Sequence, residues 1–268
     1  MVPNSVNYFS AFEENLQFPV SDYLKHSQPF WLKTGNAKAI VICLHGFGAT
    51  TYESRPIGEA ILTKNIDVAG FLFQGHGYRD EKYARQAMGK VRSEDWLQAT
   101  RKEIAHARKH YEKVFLYGQS MGGIIALIMA REGLVDGIAV TAPALKLKTG
   151  VGFLAHLLGW WNKNAYITAN PPFFNECYAF TNFRALKQLH YLAINGRKNL
   201  NKIKCPIFHA HSHNDQYVSP IVATWLTNQI KSIYILKWYD ESDHTMPLDK
   251  AAEHIKMDIS QFFSNCIN

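Results

Sequence analysis

Residues 114–124 read Val-Phe-Leu-Tyr-Gly-Gln-Ser-Met-Gly-Gly-Ile: an apolar run, a Gly-x-Ser-x-Gly turn centred on Ser120, and the start of a second, longer apolar run. The first run has the character of a buried strand and the second that of a helix. Small residues two positions either side of Ser120, Gly118 and Gly122, let the chain fold back without side-chain clash, and so sharp a turn puts the central residue into a strained backbone conformation. The serine hydroxyl then stands clear of the sheet at a helix N-terminus. Free N–H groups and the helix dipole favour negative charge there. The pattern marks Ser120 as a candidate nucleophile for acyl transfer; the alternative is an ordinary glycine-rich βα loop, against which the flanking strand and helix patterns weigh.

Apolar runs bounded by Gly, Pro or Asn alternate with helical patterns along the rest of the chain, which predicts βαβ units and a mostly parallel sheet. The strand candidates are Ala39–Leu44, Asp67–Phe73, Val114–Tyr117, Gly137–Thr141, Pro206–Ala210 and Ile233–Trp238, with Pro29–Leu32 as an antiparallel edge. Ala39–Leu44 is uncharged and rich in β-branched residues, so it is expected to be buried on both faces. Helices are expected at Tyr52–Lys64, Ser93–His110, Gly122–Glu132, Pro220–Gln229 and Leu248–Ser264, with Ser93 as N-cap. A chain of 268 residues, 47% of them hydrophobic, is long enough for one such domain with an insertion. The insertion is Leu145 to Asn199, which lacks a βαβ pattern and is aromatic throughout, from Phe153 and Trp160–Trp161 to Phe180, Phe183 and Tyr191. It follows a strand's C-terminal end, where ligands of open α/β sheets bind. The expected organisation is a core of 1–144 and 200–268 carrying a small helical cap, 145–199.

A net charge of +7 comes from Lys and Arg spread along the chain rather than clustered, so nucleic acid is not an expected partner. The four cysteines, Cys43, Cys177, Cys205 and Cys266, show no Cys-x-x-Cys spacing and read as reduced, mostly buried thiols. The start carries Glu13 and Glu14 without a basic-then-apolar leader, and no run approaches the roughly 20 apolar residues of a membrane span. A soluble, cytoplasmic protein without stable membrane insertion is the expectation.

A serine hydroxyl near neutral pH needs a base to take its proton and a third group to orient that base. Asp215 follows the strand at 206–210, and His244 follows the strand at 233–238, so both lie on loops at C-terminal strand ends. Other histidines suit the role less: His45 and His76 sit in His-Gly turns and brace loops, and His254 lies within the last helix. Asp240 and Asp243 are on His244's own loop, too close to support its ring from behind. The run His209-Ala-His211-Ser-His213-Asn-Asp215 invites a metal reading, because strand alternation puts three imidazoles on one face. No further ligand set accompanies it, and no metal is expected. Two backbone amides are expected to receive an oxyanion: Met121, directly after the serine, and Phe47 in the loop Leu44-His-Gly-Phe-Gly48.

Four blocks together resemble the α/β-hydrolase esterases and lipases, a group that includes bacterial thermostable carboxylesterases and monoacylglycerol lipases. They are Leu44-His-Gly-Phe-Gly48, Gln74-Gly-His-Gly77, Gly118-Gln-Ser-Met-Gly-Gly123, and Ser242-Asp-His244 with Leu248-Asp249 and a helix ending Asp258-Ile-Ser-Gln-Phe262. The resemblance implies the α/β-hydrolase fold, with a mostly parallel sheet, flanking helices and a cap after the strand ending near Thr141. It also implies hydrolysis of carboxylic esters through an acyl-enzyme. Ser120, Asp215 and His244 match the family's triad, in its chain order, and Phe47 and Met121 its oxyanion donors. Ser212 departs from the pattern, because relatives often have Gly there. Phe153, Leu157, Leu158 and Trp161 suggest an apolar pocket for a hydrophobic acyl or aryl ester, possible monoacylglycerols included, and no cofactor is implied. Thioesterases, carbon–carbon bond hydrolases and prolyl peptidases use the same triad, and a non-catalytic relative binding an apolar ligand would be expected to break it.

Overall fold

The computed structural model describes residues 10–13, 18–148, 166–168 and 176–267. In chain order the strands are β1 (Phe30–Leu32), β2 (Ala39–Leu44), β3 (Asp67–Gly70), β4 (Lys113–Gln119), β5 (Gly137–Thr141), β6 (Tyr166–Thr168), β7 (Phe180–Asn182), β8 (Ile207–His211) and β9 (Tyr234–Trp238). The helices are α1 (Thr51–Leu62), α2 (Glu81–Met88), α3 (Ser93–Ala107), α4 (Met121–Arg131), α5 (Phe183–Gly196), α6 (Ile221–Gln229) and α7 (Ala252–Ile267). One seven-stranded sheet runs in the order β1-β3-β2-β4-β5-β8-β9. Only β1, paired with β3, is antiparallel. This is the mostly parallel, helix-flanked sheet expected from the alternating pattern.

Every residue of β2 is buried. Its even residues Ile40, Ile42 and Leu44 join the core beneath α3, α4 and α5, while Ala39, Val41 and Cys43 join a second core beneath α1 and α7. Period-two alternation on a strand covered by helices on both faces leaves no solvent side, so apolar residues are needed at each position. Fully burying one such side chain contributes about 1.5–3 kcal/mol. The central strands β2, β4 and β5 are therefore a rigid platform, and their C-terminal ends carry the loops described below.

Several boundaries differ from the expectation for physical reasons. β3 stops at Gly70, not Phe73, because its pairings end at Phe30 of β1 and Cys43 of β2. Ser93 is the first helical residue of α3 rather than its N-cap; Arg92 takes that place, and the Arg92 amide donates to the Asp95 carboxylate at 3.1 Å. Helix α2 was not anticipated because it is short and mostly polar, burying only Ala84, Ala87 and Met88; it is started by Asp80, whose carboxylate accepts the Tyr83 N–H at 2.9 Å. The last helix begins at Ala252, after a 3₁₀ turn at Met246–Leu248 that contains Pro247.

Within the stretch 145–199, β6 and β7 form a two-stranded antiparallel sheet. Helix α5 lies along α4, where Gly196 meets the side chains of Ile124 and Leu145. No helix among the described residues is long and apolar enough to cross a membrane. Burial raises the thiol pKa of all four cysteines.

Candidate active site

β4 turns into α4 through Ser120, whose φ of +52° is a left-handed value that only glycine adopts freely. The strained turn is held from three directions. The Ser120 N–H donates to Thr141 O at 2.9 Å, and Ser120 O accepts from the amides of Ile124 and Ala144 at 3.2 Å each. A Cβ on Gly118 would stand 2.3 Å from Gly122 O, and one on Gly122 would stand 2.3 Å from Leu44 O. No side chain fits at either position, which is why the turn needs both glycines.

The three side chains expected to act together do meet. His244 Nε2 lies 3.0 Å from Ser120 Oγ, and His244 Nδ1 lies 2.9 Å from Asp215 Oδ2. Asp215 is fully buried, and its other oxygen accepts the amides of Tyr217 and Val218 at 2.8 Å each. A carboxylate only accepts, so Nδ1 carries the ring proton and Nε2 is left to accept the serine's. Burial alone would raise the Asp215 pKa, but the charge and hydrogen bond of His244 and the two amides hold it below the usual carboxylate range. Burial likewise works against a charged His244; Asp215 foremost, then Glu53 and Asp243, outweigh it and raise the imidazole pKa above its ordinary value. An imidazole poised in this way can take a proton from a hydroxyl and hold it.

Neighbouring groups tie the acid loop to the base loop. Ser212 Oγ donates to Ser242 O at 2.6 Å and accepts from the Asn214 amide at 3.0 Å, so the residue that departs from the family pattern acts as a staple. Asp243 does not support the ring from behind; its Oδ1 accepts from both the Gln216 and His244 amides. Asp240 binds His213. Gln119, directly before Ser120 in the Gly-x-Ser-x-Gly turn, donates to His244 O at 2.6 Å and accepts from the Thr141 hydroxyl. The three imidazoles of 209–213 do not converge. His213 is exposed and stacks on Trp238, whereas His209 and His211 are buried and bonded to each other at 3.1 Å. Tyr234 closes the far end of that pair, and His211 Nε2 lies 3.9 Å from Asp215 Oδ2. Burial lowers the pKa of both histidines and keeps them neutral, His211 at about 4.

Across from this pair of loops stands the loop 45–50. The amides of Phe47 and Met121 bond to no described residue, and a Cβ on Gly46 would come within 3.4 Å of Ser120 Cβ. The loop that carries Phe47 therefore packs against Ser120, and Met121 follows the serine directly at the start of α4. His45 and His76 brace the loop, as their positions before glycines suggested. His45 Nε2 accepts the Phe73 amide at 3.1 Å and Nδ1 meets Gly46 O at 2.8 Å, while His76 Nδ1 meets Gln74 O. Burial lowers the pKa of each below the imidazole range.

Glu53, Gln119 and Tyr217 were not anticipated. Glu53 sits at the third position of α1 after Thr50, so Thr-x-x-Glu looks like a plain capping box; its carboxylate instead reaches the loop, as described below. Tyr217 is half exposed beside His244, with ring centroids 5.3 Å apart. Phe153, Leu157, Leu158 and Trp161 lie outside the described residues. The ends of the insertion that are described border the site on both sides. Lys148 N donates to Tyr217 O and Ser219 N to Lys146 O on the acid loop, while Tyr178 N donates to Gly48 O at 2.8 Å on the opposite loop.

Similarity to known proteins agrees with this geometry. The chain is 24% identical to the carboxylesterase of Bacillus subtilis (strain 168) over 241 residues, 88% of this chain and 95% of that one. It is 27% identical to the thermostable monoacylglycerol lipase of Bacillus sp. (strain H-257) over 244 residues, 87% of this chain and 91% of that one. A solved structure from work on the metagenome-derived lipolytic enzymes LipS and LipT superposes with a TM-score of 0.80 at 22% identity, covering 91% of this chain and 99% of the other. Residues 35–173, more than half of the chain, match the family described as serine aminopeptidase S33. With its sheet order, its elbow at Ser120 and this match, the chain belongs to that family of α/β-hydrolases.

Proposed function

We propose that the protein hydrolyses carboxylic esters through an acyl-enzyme on Ser120. The observation that carries the reading is the unbroken line Ser120 Oγ, His244, Asp215, with both contacts at hydrogen-bond length. His244 takes the serine proton as Oγ attacks the ester carbonyl, and Asp215 holds the ring and stabilises the imidazolium. The oxygen of the tetrahedral intermediate becomes negative between the Phe47 and Met121 amides, at the N-terminus of α4. One donor of this kind supplies about 3–4 kcal/mol of transition-state stabilisation. The imidazolium then gives its proton to the leaving alcohol, and water, activated by the same ring, releases the acid.

An ester is preferred to an amide because two relatives that align along most of the chain are named carboxylesterase and monoacylglycerol lipase. The family description names a peptidase, so a prolyl amide is the competing substrate to test. The stretch 145–199 serves in this reading as the cap that shapes an apolar acyl pocket. Its ends at Lys146–Lys148 and Tyr178, bonded to loops on opposite sides of Ser120, support that role. The test is a panel of p-nitrophenyl esters of two to eight acyl carbons, monoacylglycerols, thioesters and prolyl amides. Esters should be turned over fastest, with kcat/KM rising with chain length, since each buried methylene contributes about 0.8 kcal/mol. Faster turnover of prolyl amides would reject the ester assignment, and no dependence on chain length would reject the apolar pocket.

A further inference from the structure

Glu53 is only 5% exposed, although a carboxylate in the first turn of a helix ordinarily reaches solvent or the N-cap amide. Here Oε2 accepts the Gly46 N–H at 2.6 Å, a short, charge-assisted bond. Gly46 is wedged: a Cβ on it would lie 3.0 Å from Glu53 Oε2 on one side and 3.4 Å from Ser120 Cβ on another. Its carbonyl is held as well. The Phe73 amide can only donate, so His45 Nε2 is the acceptor there and Nδ1–H donates to Gly46 O at 2.8 Å. The Ala49 amide donates to the same oxygen at 3.3 Å. In a planar trans peptide the N–H points opposite to the preceding C=O, so the bonds to Gly46 O fix the direction of the Phe47 N–H, while the Glu53 bond to Gly46 N–H holds the adjoining peptide plane against which that one turns.

We propose that Glu53 is a positioning residue of the oxyanion site: anchored in α1, it pins Gly46 so that the Phe47 amide faces the carbonyl oxygen of an ester attacked by Ser120. The proposal rests on the ester-hydrolase reading above and assigns a role to a side chain that touches neither substrate nor Ser120 Oγ. Burial pushes the Glu53 pKa up to about 7, against the opposing pull of the Gly46 N–H and of His244. Either protonation state keeps an oxygen able to accept from Gly46. The titratable groups that sense its charge are His244 from the loop after β9, Tyr117 from β4 and Cys177 from the insertion.

The test uses the full chain with Glu53→Ala, Glu53→Met, which fills the space without an acceptor, and Glu53→Gln, whose carboxamide oxygen can still accept. Each is assayed for kcat and KM on p-nitrophenyl butyrate beside wild type and Ser120→Ala, with Tm recorded. The Ala and Met variants should lose roughly 10- to 100-fold in kcat with KM within about threefold, and Gln should restore most of that loss. If Ala fails to fold, Met against Gln carries the comparison. A folded Ala or Met variant with wild-type kcat, a loss confined to KM, or a Gln variant as impaired as Met would overturn the proposal. Wild-type turnover by Ser120→Ala would instead reject the acyl-enzyme reading beneath it, so the two failures are distinguishable.

Discussion

The two rims of the site are held together in contrasting ways. On the acid–base rim, the loops bearing Asp215 and His244 follow the adjacent strands β8 and β9 and are cross-tied by Ser212, Asp243 and Asn214, while Gln119 of β4 holds His244 O. The oxyanion rim, residues 45–50, is held by its near neighbour Glu53 and, from far along the chain, by the insertion, where Thr50 Oγ1 donates to Glu176 O at 3.0 Å and Gly48 O accepts from Tyr178. Several ties between two neighbouring loops make the placement of His244 against Asp215 insensitive to any one of them. The ties to Glu176 and Tyr178 make the oxyanion rim responsive to the insertion, the part of the chain expected to contact the acyl group.

Changes at the shared centre should have the largest effect and test whether both rims serve one reaction. Ser120→Ala is expected to lower kcat/KM by at least about 10⁴-fold with Tm nearly unchanged, because members of such a unit fail together. Asp215→Asn should cost about 10³- to 10⁴-fold, since Asn cannot fix the tautomer of His244. The pH profile sharpens that result. His244 acts as base only when unprotonated and its pKa is raised, foremost among the favourable contributions by Asp215, so the acid limb of wild-type kcat/KM should have its midpoint above 6.5. Without the carboxylate charge, the residual activity of Asp215→Asn should have a midpoint at lower pH.

Smaller changes probe the contrast itself. The Tyr178 hydroxyl donates to Gly75 O and accepts the Tyr78 amide, so Tyr178→Phe loosens the insertion's hold on the loop 74–78, whose His76 packs beside Phe47 of the oxyanion rim. The ratio of kcat/KM for octanoyl over acetyl esters should change by about 3- to 10-fold. Ser212→Ala removes one staple among several on the other rim. It should cost about 1–3 kcal/mol in stability, measured by urea unfolding, because buried partners are left unsatisfied. Its kcat should stay within about threefold of wild type and its chain-length ratio should not move. Equal effects of the two variants on that ratio would erase the distinction between the rims.

The legible parts of the molecule are those where local pattern and burial coincide. β2 could be read because burial on both faces forces apolar residues at every position, and the elbow because Gly118 and Gly122 have no space for a side chain. Asp215 and His244 could be singled out because loops after strands are where a parallel sheet presents its chemistry. Glu53 was hidden because its sequence context is that of an ordinary helix start, and only the fold reveals that its carboxylate faces Gly46. Gln119 and Ser212 were hidden for the same reason, as their partners His244 and Ser242 are far away in sequence. The alternation of His209, His211 and His213 predicted one face, but β8 ends at His211, and beyond a strand's end the period no longer holds.

The most direct test of the central claim is covalent trapping. The folded protein is treated with a fluorophosphonate and the adduct is mapped by mass spectrometry, with ester hydrolysis followed in parallel. A single adduct on Ser120, forming at the rate at which hydrolysis is lost and absent from Ser120→Ala, is the predicted result. Hydrolysis that persists after Ser120 is fully modified, or an inactivating adduct on another residue, would contradict the account.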